Sequence, residues 1–205
     1  RVLAGLEFET ALDPMCGTST VAYLLKTRGA AVTAADALEF NAASARALVA
    51  NDSVRLGPLA ETLAADLPDP SAPPGLVEVE FDEIFYERDE NRFLDQILPR
   101  VHALDGFRRD LALHALGQAC LAKRPYNLFH RANLSMRRRR VRRSFGNKAT
   151  WDTPFAAHLA RHGAAADRAV QRGARPCRAL RADALEIDPS GHDLVYLDPP
   201  YVSGS

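Results

Sequence analysis

Residues 194 to 201 read Leu-Val-Tyr-Leu-Asp-Pro-Pro-Tyr. An apolar strand runs straight into a carboxylate, two prolines and an aromatic ring. A turn needs only part of that set, since aspartate and proline start turns by themselves. The full set suits another task, which is to hold a planar exocyclic amine. Such an amine is a poor nucleophile because its lone pair is delocalised into the ring. Two acceptors, the Asp198 carboxylate and the Pro199 carbonyl, would take both amine hydrogens and favour the pyramidal nitrogen that attacks. Pro199 and Pro200 fix their own φ angles and so hold these acceptors in place beforehand. Tyr201 offers a flat face on which a base drawn out of its helix can stack.

Three further acids, Asp13, Asp36 and Asp183, stand where strands are expected to end. In an open parallel sheet ligands bind at the carboxyl ends of the strands. One acid there is explained by capping or turn chemistry, but four on one edge point to a polar ligand. Asp36 lies 19 positions after Gly17. That is close to the interval of ~20 residues at which a carboxylate meets ribose hydroxyls in nucleotide-binding α/β folds. Gly17 lets the backbone come close to a ligand. A dinucleotide fingerprint has three glycines where this loop has Gly17 alone, and a phosphate loop ending GK[ST] is absent. The pattern indicates a nucleoside without a pyrophosphate. S-adenosylmethionine fits, because its adenosine and amino-acid ends need carboxylates and hydrogen bonds.

The elements that must position these residues follow from periodicity. Residues 8–12 read as a short strand leading into Asp13-Pro14-Met15-Cys16-Gly17-Thr18. Ser19 or Thr20 then caps a helix carrying Val21, Leu24 and Leu25 and stopping at Gly29. Ala31 to Ala35 is a second strand, closed by Asp36. A second helix follows, with Phe40, Ala43, Ala47 and Leu48 on one face. This order is the start of a doubly wound α/β sheet. Residues 57–75 carry five prolines and read as loop. Asp89 is the expected N-cap of a helix with Phe93, Ile97 and Leu98 inward, interrupted by Pro99. Leu111 to Ala122 reads as a buried helix, and Thr153-Pro154 opens another to about Gly173. Strand signals return only at Arg178–Ala182 and Leu194–Leu197. The expected division is therefore 1–56 and 176–205 as an α/β core, with 57–175 a mostly helical insertion.

With 47% hydrophobic and 25% charged residues the chain has the composition of a protein with a proper core. No apolar run approaches the roughly 18 residues a membrane helix needs. The three cysteines are far apart without a CxxC, which suits a reducing cytoplasm and gives no disulfide or zinc framework. The formal net charge of +0 hides an asymmetry: residues 1–99 hold 7 Lys and Arg against 17 Asp and Glu, and residues 100–205 hold 19 against 9. Its sharpest part is the run Arg137, Arg138, Arg139, Arg140, Arg142 and Arg143, with Lys148 just beyond. Such a run either clamps the phosphates of a polyanion or forms a solvated surface loop.

The blocks LDPMCGTSTVAYLLKTRGAAVTAADALEFNAASARALVAN, RADALEI and LVYLDPPY together resemble the DNA adenine-N6 methyltransferase family. RPYNLFHRANL and RSFGNKATWDTPF are similar to one bacterial and phage branch of it. The resemblance implies a Rossmann-like, S-adenosylmethionine-dependent methyltransferase fold that acts on double-stranded DNA, with a cognate restriction endonuclease as a candidate partner. It implies that Asp13, Pro14, Met15, Cys16, Gly17 and Thr18 hold the methionine end of the donor. Asp36 would hold the ribose, Asp183 the donor's adenine amine, and Asp198 to Tyr201 the target adenine. The insertion would recognise DNA. The family's first motif is usually Phe-x-Gly-x-Gly, whereas this chain has Met15-Cys16-Gly17-Thr18-Ser19. A family member also continues with three more strands after the tyrosine and begins further upstream, so this chain is expected to be a piece of an enzyme.

Other constellations carry less. His158 and His162 have the i,i+4 spacing of metal ligands but no third ligand nearby, so no metal is expected. Cys16 reads as a small packing residue. Tyr126, Phe129, His130 and Trp151 pack the insertion or stack on bases. Two other functions compete with adenine methylation. Guanine-N2 methylation of ribosomal RNA also uses DPPY-like motifs, though with a short path between Asp36 and the motif. A non-catalytic DNA-binding remnant would use the basic insertion alone.

Overall fold

The computed structural model describes residues 5–124, 132–139 and 148–199. Its four strands are β1 (Thr10–Asp13), β2 (Ala31–Asp36), β3 (Arg178–Arg181) and β4 (Leu194–Val195). They form one sheet in the order β3-β2-β1-β4, and all three pairings are parallel. The chain builds outward from β1 through β2 to β3, then crosses back to place β4 on the other side of β1. All four carboxyl ends therefore share one edge, where the expected acids stand.

The chain divides into two compact units, residues 1–55 with 168–205, and residues 56–167. The first holds the sheet, α1 (Thr20–Thr27), and α2 (Glu39–Ala45), which runs into a π-turn at Arg46–Ala50. Its core is made of small side chains: Ala11, Ala22, Ala30, Ala34 and Ala45 pack with Cys16, Leu25, Val32 and Val49. Alanine on both partners lets helix and strand backbones approach closely, which leaves no room for large side chains between them. Leu24, an apolar residue of the first helix, and Phe40, expected on one face with Ala43 and Ala47, are accordingly exposed. The π-turn, whose wider ring is closed by Asn51 N–H donating to Arg46 at 3.0 Å, shifts the helical phase, so that Val49 is fully buried where Leu48 was expected. Lys26 is 1% exposed and donates to the Asn51 carbonyl at 2.8 Å and to Asp52 at 3.0 Å. A cation thus sits where the carbonyls at the end of this helix need one.

The second unit is helical: α3 (Leu59–Ala64), α4 (Leu76–Glu80), α5 (Arg88–His102), α6 (Gly106–Ala122), α7 (Leu134–Arg138), α8 (Lys148–Asp152) and α9 (Phe155–Ala169). α3 lies inside the proline-rich stretch expected as loop, with Pro58 just before it. α5 begins earlier than expected. Glu87 is its N-cap, and its N–H donates to Glu90 at 3.0 Å. The helix continues through Pro99, whose carbonyl still accepts from Ala103 at 3.0 Å. Pro99 is exposed. Phe93, Tyr86 and Phe155 form the aromatic centre, with ring centroids 5.5 and 5.2 Å from Phe155.

Two small networks secure the chain where it passes between the units. In the helical unit the Asp167 carboxylate accepts from the Leu56 and Gly57 amides, both at 2.7 Å. In the sheet unit Arg55 donates to the Val170 carbonyl and the Gly173 amide donates to Asp52, each at 3.1 Å. Among the described residues no helix is long and apolar enough to cross a membrane.

Candidate active site

β1 and β2 each end on an aspartate, Asp13 and Asp36. Asp183 follows the end of β3 by two residues and Asp198 the end of β4 by three. Tyr196 extends the β4 pairing by donating its N–H to Leu12 at 2.8 Å, and this carries Asp198 to the same edge. There a cavity of about 440 Å³ is lined by Pro14, Met15, Asp36, Ala37, Leu38, Asn41, Asp183, Ala184 and Asp198. The structure thus brings Asp36, Asp183 and Asp198 together with Pro14 and Met15. Of the loop residues expected at the donor, Asp13, Cys16, Gly17 and Thr18 do not line this cavity.

Asp36 is the organiser of the loop. One of its oxygens accepts the Gly17 N–H at 3.0 Å and the other the Leu38 N–H at 2.9 Å. Each carboxylate oxygen retains lone pairs beyond these bonds, so the group can still accept ligand hydroxyls. The Cys16 N–H donates to the Ala35 carbonyl at 2.9 Å and ties the loop to β2. Gly17 has φ 50° and Ser19 φ 61°. Ser19 stands at the second glycine position of the family motif and keeps a left-handed backbone that glycine adopts more readily. It is fully buried, and its hydroxyl lies 3.6 Å from the Cys16 sulfur. Burial pushes the Cys16 thiol up to about 11, so it stays protonated and packs as a small neutral side chain.

Asp183 accepts the Leu185 N–H at 3.0 Å and so starts the 3₁₀ turn Ala184–Glu186. Asp198 accepts from the Tyr196 hydroxyl at 3.4 Å. Asp13 differs from the other three. It is 1% exposed, and its Oδ1 has no hydrogen-bond partner. Burial pushes its carboxyl up to about 6 against the opposing pull of the Met15 and Ala22 amides, and the charges of Asp198 and Asp36 add to the rise. Asn41, Leu38 and Ala184 line the cavity without having been singled out in the sequence. Leu38 and Asn41 sit at the start of α2, one turn beyond Asp36, and that position was their available signal.

The basic run separates into two kinds of residue. Arg137 is 8% exposed and donates to Glu90 at 2.5 and 2.7 Å and to the Trp151 carbonyl at 3.1 Å. Arg138 reaches Glu87 at 2.7 Å and Glu83 at 3.0 Å. These two arginines, expected on phosphates, are engaged by carboxylates of their own unit, because α7 packs them against the acidic start of α5. Arg139 is exposed. Lys148 is paired with Asp152 at 2.8 Å across one helical turn. Pro200, Tyr201, Arg140, Arg142 and Arg143 lie outside the described residues, as do Tyr126, Phe129 and His130. Trp151 is buried. His158 is buried with one ring nitrogen 2.8 Å from the Thr150 carbonyl and the other 2.9 Å from Arg161. Both nitrogens are thus occupied as in a packed, neutral histidine.

An α/β protein with a parallel sheet and an acid-lined carboxyl edge is consistent with a methyltransferase fold. The chain belongs to the D12 class of N6 adenine-specific DNA methyltransferases, a family that matches residues 7–205. It is also similar to the type II methyltransferase M2.HphI of Haemophilus parahaemolyticus, with 25% identity over 203 residues. The similar region takes in 96% of this chain and 60% of that relative, so the chain spans less than two thirds of the relative's length. No solved structure matches the chain.

Proposed function

We propose that this chain carries the donor site and the amine-holding motif of an enzyme that methylates the exocyclic N6 of adenine in double-stranded DNA, with S-adenosylmethionine as methyl donor. The observation that carries the reading is the edge itself: in a chain of this family, Asp36, Asp183 and Asp198 line one cavity beside Pro14 and Met15. Carboxylates facing apolar walls suit a nucleoside, whose hydroxyls and amine need acceptors and whose base needs a greasy surface. Leu38 and Met15 supply that surface here. The sheet then belongs to a doubly wound, Rossmann-like fold, and the helical unit recognises DNA.

In this reading the donor supplies an electrophilic methyl group on a sulfonium. Asp36 takes the ribose hydroxyls while its existing bonds to Gly17 and Leu38 keep the loop in place. Asp183 accepts from the donor's adenine amine. Asp198 and the Pro199 carbonyl accept the two hydrogens of the target amine, and Tyr201 stacks on the base drawn out of the duplex. When bound, the donor would give its methyl group to the nitrogen so held and would leave as the neutral sulfide. The methylated amine then releases a proton to water, so no separate general base is needed. With Arg137 and Arg138 engaged internally, phosphate contacts fall to Arg139, Arg140, Arg142 and Arg143, with Lys148 available by releasing Asp152. A cognate nuclease belongs to the same reading as a partner in the cell.

Single-turnover methylation with labelled donor tests this, on adenine-containing duplex DNA and, in parallel, on structured RNA. Asp198→Ala should lose ~10²–10³ in rate with donor binding nearly intact, since its acceptor acts on the transition state. Methyl transfer by that variant at near the parent rate would reduce the motif to a turn and remove the reading. Transfer to RNA guanine in place of DNA adenine would move the activity to the competing class.

A further inference from the structure

Within the sheet order β3-β2-β1-β4, β1 is flanked on both sides, so Asp13 at its end stands between the acids of the β2 and β4 ends. Asp13 is also the residue from which the cavity-lining Pro14 and Met15 depart. The nearby Met15 and Ala22 amides pull its carboxyl down only in part against burial. Its Oδ1 is buried without a hydrogen-bond partner. The charged groups that act on it are Asp198, beyond β4, and Asp36, at the end of β2. From its own loop it meets the neutral Cys16 thiol, and among the described residues no lysine or arginine pairs with it. Three carboxyls thus meet at one edge, one of them desolvated, with no resident cation paired to that one.

We infer that Asp13 is a proton-exchanging positioning residue: it gives up a proton when a cationic donor occupies the neighbouring cavity and takes one back when the donor has become a neutral sulfide. This rests on the donor reading of the cavity given above. The donor carries a sulfonium and an ammonium against one carboxylate, a net positive charge. Its product has lost the sulfonium charge. A cation beside a buried carboxyl favours the ionised form, so binding and ionisation help each other. The free carboxyl, raised to about 6, is largely protonated at pH 5 and largely ionised at pH 7.5. Donor binding at pH 5 must therefore expel a proton, and at pH 7.5 it need not. Donor affinity rises between these pH values and then levels, while product affinity changes less. The enzyme at neutral pH would thereby prefer donor over product, and that preference would shrink on acidification.

Calorimetric titration of the protein with S-adenosylmethionine and with S-adenosylhomocysteine tests this, at pH 5, 6 and 7.5. Each titration is run in two buffers of different ionisation enthalpy, which counts protons released. The parent should release most of one proton on binding the donor at pH 5, less at pH 6 and close to none at pH 7.5. The product should release clearly less at pH 5. Donor affinity should rise several-fold across the range. Asp13→Asn, which keeps the shape and removes the titration, should bind with little pH dependence and without that proton. Equal proton release by donor and product, or no release by the parent at pH 5, overturns the inference whether or not the variant folds. A parent that binds neither compound at any pH overturns the donor reading beneath it.

Discussion

In the helical unit Glu90 meets Lys123 at 2.6 Å and Arg137 at 2.5 Å, and Lys123 also donates to the Trp151 and Thr153 carbonyls at 2.9 and 2.5 Å. Glu78, 3% exposed, is likewise held by Arg88 and Arg92. At the edge of the sheet unit, Asp36 binds the Gly17 and Leu38 amides while Asp13 is buried with its Oδ1 unpartnered, and among the described residues no lysine or arginine pairs with either. A buried charge is tolerated only when paired or hydrogen-bonded. Glu90 and Glu78 in the helical unit meet that condition internally, so these ions hold structure. The sheet edge meets it only in part, and what it still lacks is cationic or rich in donor hydrogens. Charged residues of one kind therefore do different work in the two units.

The largest effect should come from breaking the helical network. Glu90→Ala leaves Lys123 and Arg137 buried and unmatched, which should lower stability by about 3–5 kcal/mol. Chemical denaturation of variant and parent would measure it. Burial pushes the Glu90 carboxyl up, but Arg137 and Lys123 outweigh burial and hold it below its ordinary value. Its stabilising contribution is present above that ordinary value of 4.5 and is lost as pH falls through the lower folded value. Asp13, raised on folding, has the opposite sign: its contribution is greatest below 3.8 and is lost as pH rises through about 6. A loss below about 1 kcal/mol for Glu90→Ala would erase the contrast between the units.

A middle-sized effect sharpens the other side. Asp36→Ala removes the acceptor proposed for the donor's ribose and should weaken S-adenosylmethionine binding by about 1.5–3 kcal/mol. The same change frees the Gly17 and Leu38 amides, so loop order is expected to fall as well. Calorimetry giving the parent affinity would return Asp36 to a purely local role. The smallest effect lies at Ser19, whose left-handed backbone costs a non-glycine residue roughly 1–2 kcal/mol. Ser19→Gly should gain about 0.5–1 kcal/mol in denaturation, because the added freedom of the unfolded glycine offsets part of the relief. A clear loss would mean that the hydroxyl on the Cys16 sulfur outweighs the strain.

Much of the sheet unit was legible because it is written locally. Strand, glycine loop, helix and strand follow one another within residues 8–51, and the acids fall where the apolar runs stop. The positions of Asp36 and Asp198 needed only that rule and the parallel order. What escaped depends on distant partners. Arg137 looked like a phosphate ligand because six arginines crowd together, and nothing nearby in sequence announces Glu90. Phe40 looked like a core residue because its period is right, but the alanines of β2 leave it no room. The π-turn has no sequence signature, and it is what moved the buried position from Leu48 to Val49. Asp13 was read as one ligand-binding acid among several, because burial and the neighbouring charges of Asp36 and Asp198 cannot be seen along the chain.

The pairing of β1 with β4, joined by the bond from the Thr10 amide to Asp193 across 183 positions, has an evolutionary meaning. The cavity is assembled only when the two halves of the sheet unit meet, and the intervening segment enters that event merely as the length of a closed loop. Loop closure grows with the logarithm of length, about 0.6 kcal/mol for each doubling. With Arg55 fastened to Val170, the points of departure and return in the sheet unit stay adjacent however long that segment is. Lineages could lengthen, trim or exchange residues 56–167 while the edge that bears Asp13, Asp36 and Asp198 stays as it is. On the proposed reading, in which residues 56–167 recognise DNA, changes of target would then accumulate in that one stretch of the gene and leave the other two untouched.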